Sequence, residues 1–155
     1  MWLLVAVIII FIVAVVIANN KHNEMVESGV IAHRDTDFMQ RAEEFRVTNV
    51  SDADVKNAVA KLFLSQISVS YQALSNGTIR FSGQGWNATL SRQSKVGDPS
   101  ALYRFQFNNF VTRYSAPQGG LSANKLLTLI EKMFVSLDPK TQARFVQVNY
   151  NTTRI

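Results

Sequence analysis

The chain has 155 residues, carries a formal net charge of +5 and contains no cysteine. The missing thiols exclude disulfide bonds, thiolate nucleophiles and cysteine-ligated metals. Glycine and proline are few, which argues against a disordered or collagen-like protein. About 135 residues remain for one folded domain once an apolar amino-terminal run is set aside.

That run, residues 2–18, contains no charge, glycine or proline. As a helix it would span roughly 25 Å, near the lower limit for crossing a bilayer. It lacks the polar stripe of a soluble core helix and the basic segment that precedes a secretory signal. We therefore predict a single-pass transmembrane signal-anchor. The alternative is an exported protein whose signal peptide is cleaved after Ala18, since Val16 and Ala18 fit a small-residue cleavage pattern.

The residues around the run predict its orientation. Lys21 and Arg34 follow it, and no lysine or arginine precedes it. Because basic residues stay on the cytoplasmic side, we expect the domain to be cytoplasmic. Residues 19–34 are polar and are predicted to form a juxtamembrane linker or a frayed continuation of the helix, and the domain occupies residues 35–155.

The first predicted element of the domain is a short helix over residues 35–45. Phe38, Ala42 and Phe45 recur there at the spacing of one helix face. A short strand over residues 46–50 is expected to follow.

The clearest helix start in the chain is at Ser51. Asp54, three residues later, completes a near capping box, and acidic residues occupy the first turn. The apolar residues that follow repeat at the spacing of a core-facing helix: Val55, Ala58, Val59, Leu62 and Phe63.

After this helix the hydrophobic period changes from about 3.6 to 2, which is typical of strands. Asn76-Gly77 is a hairpin signal between two alternating stretches. The alternation also slips at Asn108-Asn109, which predicts a β-bulge. The predicted strands are residues 67–73, 78–82, 86–92, 103–114 and 144–150.

A second amphipathic helix is predicted to begin with Ser122 or Asn124 as its cap and to end at Asp138-Pro139. This order of elements predicts an α+β fold after the transmembrane helix. The domain is expected to pack an antiparallel sheet against two amphipathic helices.

The sequence offers little catalytic chemistry. His22 and His33 both lie in the predicted linker, and the carboxylates after Asp54 are isolated from one another. The glycine-containing segment at residues 82–87 lacks the Lys-Ser/Thr of a phosphate-binding loop. We therefore predict no catalytic, cofactor or metal site.

Charge asymmetry is the feature that points to a function. Residues 1–54 hold four basic against eight acidic residues, whereas residues 55–155 hold twelve against three. Strand parity places Arg80, Arg104 and Arg113 on the polar face of the sheet, as candidate contacts to an anionic surface. As exposed charges they are expected to contribute little to stability.

We therefore predict a membrane-anchored interaction module that docks a partner protein or anionic lipid headgroups. The sheet's aromatic residues have core parity, which argues against base stacking and hence against nucleic acid. The alternative is a ligand-binding or enzymatic cup with an aromatic-lined pocket. Its lining would be Tyr71, Phe81, Trp86, Tyr103, Phe105 and Phe107.

Overall fold

The computed structural model describes the backbone of residues 2–154 and the side chains of residues 10–154. The chain divides into two compact units, Met1–His33 and Arg34–Ile155.

The first unit is built on helix α1, Trp2–Glu27. Gly29 ends it in a left-handed conformation (φ 68°), and the amide of Val30 donates back to the carbonyl of Met25. This pattern of bonds is a Schellman cap, for which glycine is the preferred residue. The predicted linker is therefore helical over much of its length.

The predicted transmembrane anchor, residues 2–18, lies within α1. Among the residues that the structure describes, no helix is long and apolar enough to cross a bilayer. Residues 2–9, the first half of the predicted anchor, lie outside the described side chains. The anchor therefore stays a prediction.

The second unit is an α+β domain, as predicted. Its helices are α2 (Asp52–Ala60) and α3 (Gly120–Leu137), with 3-10 turns at Phe38–Gln40 and Leu64–Ile67. The strands are β1 (Arg41–Thr48), β2 (Ser70–Ala73), β3 (Ile79–Gly83), β4 (Trp86–Arg92), β5 (Ser100–Arg113), β6 (Ala116–Pro117), β7 (Gln142–Gln147) and β8 (Asn151–Arg154).

The strands form one sheet in the order β2-β3-β4-β5-β1-β7, and each neighbouring pair is antiparallel. Two short strands pair with the second half of β5. Strand β6 forms an antiparallel hairpin with it, and β8 pairs with it in parallel. Strands β1, β5 and β7 thus lie side by side, which positions the site described below.

The core lies between the sheet and its helices. Phe45 of β1 stacks on Phe134 of α3 with ring centroids 4.5 Å apart, and Phe105 packs edge-on against Phe107. Five of the six aromatic residues proposed to line a cup are buried in this core, and Tyr71 is partly exposed. These rings therefore fill the core.

Three local predictions are confirmed. Ser51 and Asp54 form a reciprocal capping box at the start of α2. Strands β2 and β3 pair across the turn at Asn76-Gly77, where Gly77 has φ 82°. The register between β4 and β5 shifts at Asn108, as the slip in alternation indicated.

The predicted helix over residues 35–45 is wrong. Only the 3-10 turn at Phe38–Gln40 is helical there, and β1 begins at Arg41. β1 pairs with β5 on one side and with β7 on the other. Two rows of long-range hydrogen bonds therefore outweigh a helical spacing carried by three apolar residues.

Two other boundaries differ from prediction. Helix α3 begins three to five residues earlier than its predicted polar caps, because Gly119 in a left-handed conformation (φ 67°) is its N-cap. Ser122 instead donates to the carbonyl of Gly119, and Asn124 is buried. The predicted last strand, residues 144–150, corresponds to β7, which ends at Gln147, and β8 follows it as a further strand that was not predicted.

Candidate anion-binding face

The open face of the sheet, opposite the helices, carries a group of arginines. Residues of β1, β5 and β7 alternate between this face and the core side, as strand geometry requires. The arginine face consists of three arginines on these strands and the carboxylate among them: Arg46, Arg104, Arg144 and Glu44.

At its centre one carboxylate lies between two guanidinium groups. Glu44 is directly opposite Arg104 on β5 and directly opposite Arg144 on β7. Nε and Nη2 of Arg104 donate to Oε1 of Glu44 at 3.0 and 2.6 Å. The same two atoms of Arg144 donate to Oε2 at 2.8 and 2.7 Å.

The three side chains differ greatly in exposure. The side chain of Glu44 is 2% exposed, that of Arg104 is 32% and that of Arg144 is 66%. Burial by itself would raise the pKa of Glu44, but the hydrogen bonds and charges of Arg104 and Arg144 outweigh it and hold the pKa below 4.5. Glu44 is therefore ionised at neutral pH.

This arrangement leaves both positive charge and donors available. One carboxylate between two guanidinium groups leaves a net charge of +1. Among the described residues, Nη1 of Arg104 and Nη1 of Arg144 have no hydrogen-bond acceptor. Since guanidinium donors pair well with carboxylates and phosphates, the two groups can bind a further anion.

Two open clefts adjoin Arg104 and Arg144. The larger, of about 570 Å³, is lined by Arg104, Gln106 and residues 147–149. The smaller, of about 220 Å³, is lined by Glu44, Arg46, Arg144 and neighbouring residues of β5 and β7. Arg46 is exposed and donates to Ser100 through Nη1. The arginine face is thus accessible on both sides of Arg104 and Arg144.

The structure brings together only part of the predicted contact set. Arg104 is bonded to Glu44 at the centre of the arginine face. Arg80 is exposed on β3, opposite Thr89 of β4. Arg113 is at the far end of β5, up to about 30 Å from Arg104 at about 3.3 Å per residue. Its guanidinium lies 5.5 Å from the ring centre of Tyr114.

Sequence reasoning missed Glu44, Arg46 and Arg144. The first two fell in or beside the wrongly predicted helix. Arg144 was lost because the last strand was interpreted with Val146 on the core side, whereas Phe145 has that parity. A clue was present in the sequence, where an acidic residue stands two positions before Arg46 at the period of a strand.

A second polar cluster lies on the core side of the sheet, between β1 and α3. Arg34 donates to Asn124 at 3.0 Å and forms an ion pair of 2.6 Å with Glu131. Burial, and then the charge of Glu131, raise the pKa of Glu43 to about 8. Glu43 is therefore a neutral carboxylic acid at pH 7.

A further cavity of about 590 Å³ lies between the first 3-10 turn, the end of β5 and β8. Its lining includes Phe38, Phe110 and Arg154. Tyr150 also lines it, stacks on Phe110 at 5.5 Å and donates to Gln40 at 3.0 Å. These are not the aromatic residues that the sequence suggested for a pocket.

Within the described part of the chain, no three histidine, cysteine or acidic side chains are grouped so that they could hold a metal ion. The sequence matches no protein-family model and no curated protein sequence.

Proposed function

We propose that the protein is a membrane-anchored interaction module that docks an acidic partner protein through the arginine face. The observation that carries the proposal is the pair of arginines that share Glu44. Holding a guanidinium in place removes part of the entropy that its flexible side chain would otherwise lose on binding. The pair is thus prepared for an anion before the partner arrives.

The same geometry favours a protein carboxylate over a lipid surface. Attraction to an anionic membrane depends mainly on how many basic residues come near it. A fixed guanidinium also recognises the plane and spacing of a carboxylate. Arg104 and Arg144 are fixed by hydrogen bonds and by the register of three strands, so their arrangement suits a partner of defined shape.

The anchor completes the proposal. The run over residues 2–18 carries no charge, and its basic flank lies on the carboxyl side. A signal-anchor there holds the domain at the cytoplasmic surface. A reporter fused after Ile155 should therefore be active only if it requires the cytoplasm. Mature protein that begins at Asn19 would instead show an exported, cleaved form.

The docking proposal is tested by site-specific photo-crosslinking of the full-length protein in its native membrane. A photoreactive residue in place of Arg46 should give an adduct with a partner, and the adduct should disappear when the partner's acidic segment is neutralised. The matched control position is Val96, which is 85% exposed and lies outside the arginine face. Equal adducts from both positions would contradict the proposal.

The lipid alternative has its own readout. Full-length protein in nanodiscs of phosphatidylcholine is mixed with vesicles rich in phosphatidylserine at low salt. We expect weak association that Arg46→Gln and Arg80→Gln reduce additively, because each removes one exposed charge. If association with the vesicles is strong and every crosslink is a lipid adduct, the arginine face binds the membrane and not a protein partner.

A second candidate function, binding of a small ligand, is favoured by the cavity beside Tyr150. Its volume is within the usual range for small-molecule sites, and it combines stacked rings with polar groups. A thermal-shift screen of metabolites tests it. A true ligand should raise the melting temperature of the wild type and have no effect on Tyr150→Ala.

A further inference from the structure

Strand β7 forms one border of the sheet. It pairs with β1 along one side and is the last strand in that direction. Among the described residues, no backbone hydrogen bond joins the other side of β7 to another segment. Its outward N–H and C=O groups are therefore open to a further strand.

The side chains of β7 differ between its two faces. Arg144 projects on the arginine face and is held there by Glu44. Phe145, the next residue, projects on the opposite face and is 51% exposed. A strand added beside β7 would therefore meet a cation on one face and an aromatic ring on the other.

We propose that the partner docks by strand addition: an extended segment of it pairs with the open side of β7. Its residues on the arginine face are acidic and lie beside Arg144, and the intervening residues are apolar and lie beside Phe145. This inference rests on the proposed function for the acidity of the partner. It adds the mode of binding and the sequence pattern that the partner must have.

Charge decides between such a partner and a second copy of this chain. If two β7 strands paired with their arginine faces on the same side, Arg144 of one would lie close to Arg144 of the other. Like charges opposite each other destabilise a strand pair. An acidic strand instead compensates the positive charge that Glu44 leaves unbalanced between Arg104 and Arg144.

The two kinds of contact have separate roles. Main-chain hydrogen bonds along β7 supply affinity that depends little on sequence, and the alternating side chains supply specificity. Arg46 lies on β1, next to β7, and Arg104 lies on β5, one strand further away, and each lines one of the two clefts. Long acidic side chains of the added strand can reach across β7 toward Arg46.

The experiment uses full-length protein in nanodiscs of phosphatidylcholine and labelled synthetic peptides of eight residues, with binding followed by fluorescence anisotropy. The first peptide alternates glutamate with valine. The second has the same composition with its four glutamates together. Two further versions of the alternating peptide carry N-methyl groups, each along a different edge of the strand.

We expect the alternating peptide to bind at least tenfold more tightly than the blocked one. N-methylation along one edge should abolish binding, and along the other it should leave binding unchanged. Amides of β7 that exchange rapidly with solvent in the free protein should become protected in the complex. Protection of β2 instead of β7 would overturn the inference.

The matched variants are Arg144→Glu and Arg80→Glu, which change the charge equally on the same face. Arg144→Glu should weaken the alternating peptide more than tenfold, whereas Arg80→Glu on β3 should weaken it less than threefold. Because Arg144→Glu changes the surroundings of Glu44, its folding is checked by circular dichroism. Arg144→Gln is the second variant and should lose at least fivefold.

The outcomes separate this inference from the proposed function. If all glutamate-containing peptides bind equally and N-methylation has no effect, strand addition is overturned while acidic docking stands. If no peptide binds but position 46 still crosslinks to an acidic partner, the same conclusion follows. A protein dimer on light scattering whose formation protects the amides of β7 from exchange would overturn the inference, because the open side of β7 would then bind a second copy.

Discussion

Arg104 and Glu44 lie directly opposite each other on β5 and β1, and Nε and Nη2 of Arg104 both donate to Oε1 of Glu44. This pair changes what can be expected of the arginines on the sheet. Exposed charges contribute little to folding. Arg104 is different, because its partner is a carboxylate that the sheet has removed from water.

We predict that Arg104→Gln lowers the free energy of unfolding by about 1–3 kcal/mol, the range for leaving a buried charged group partly unsatisfied. Arg80→Gln and Arg113→Gln should each change it by less than about 0.5 kcal/mol. Chemical denaturation of the three variants measures the difference. Equal, small effects would contradict the structural role of the Arg104–Glu44 pair.

The raised pKa of Glu43 should make the stability of the protein depend on pH. The pKa of this buried acid is about 8 in the folded protein, above its ordinary value of 4.5. The folded state therefore binds a proton that the unfolded state has lost, and stability falls as the pH rises through this window. Replacement by the neutral, similarly shaped glutamine removes the fall.

Glu43→Gln should therefore melt several degrees higher than the wild type at pH 8 and show little difference near pH 4.5. Glu131 and Arg34 face Glu43 from α3 and from the start of the domain, so Glu131→Gln is the matched control. It should reduce the dependence without removing it, because burial is the larger cause. A parallel pH profile for Glu43→Gln and wild type would contradict this prediction.

The lowered pKa of Glu44 has the opposite effect: it should make stability fall as the pH is lowered into the acid range. Its pKa in the folded protein is lowered, so its contribution is complete above about pH 4.5 and is lost as the pH falls through the folded value. Glu44→Gln should be less stable than the wild type at pH 7 by about 1–3 kcal/mol. The two curves should converge toward pH 2 in urea denaturation.

The parts of the fold that the sequence predicts well are those that local chemistry determines. The capping box at Ser51 needs only residues within one turn, and the hairpin at Asn76-Gly77 needs only a turn that glycine favours. The bulge at Asn108 is visible because the core side of β5 changes parity there. In each case the deciding residues are adjacent in the sequence.

The arginine face could not be derived in the same way. Glu44 meets Arg104 and Arg144 only because β1 lies between β5 and β7, and nothing in the local pattern specifies that order. The helical spacing of Phe38, Ala42 and Phe45 concealed the central strand. Without β1, Arg104 looked like a solvated charge, and Arg113 looked equivalent to it.

The capping box itself can be tested. Ser51→Ala removes the side chain that accepts from the amide of Asp54 and leaves the amide without that partner. We expect a loss of about 1 kcal/mol in the free energy of unfolding. Ser51→Thr keeps a hydroxyl that can accept from the amide of Asp54 and donate to its Oδ2, so it should lose much less stability. An equal loss in both variants would contradict the role of the capping hydroxyl.

The last prediction concerns the division of the chain. α1 continues to Glu27, and the second compact unit begins at Arg34, so a cut after the predicted anchor alone would leave part of a helix attached. We expect residues 34–155, expressed without the first unit, to be released from membranes and to melt cooperatively, because the core of the sheet and its helices lies within this range. Differential scanning calorimetry and membrane fractionation measure the two properties, and the full-length chain is the control. A truncated protein that melts without cooperativity would show that the domain needs residues before Arg34, and a full-length chain that leaves the membrane in carbonate would refute the anchor.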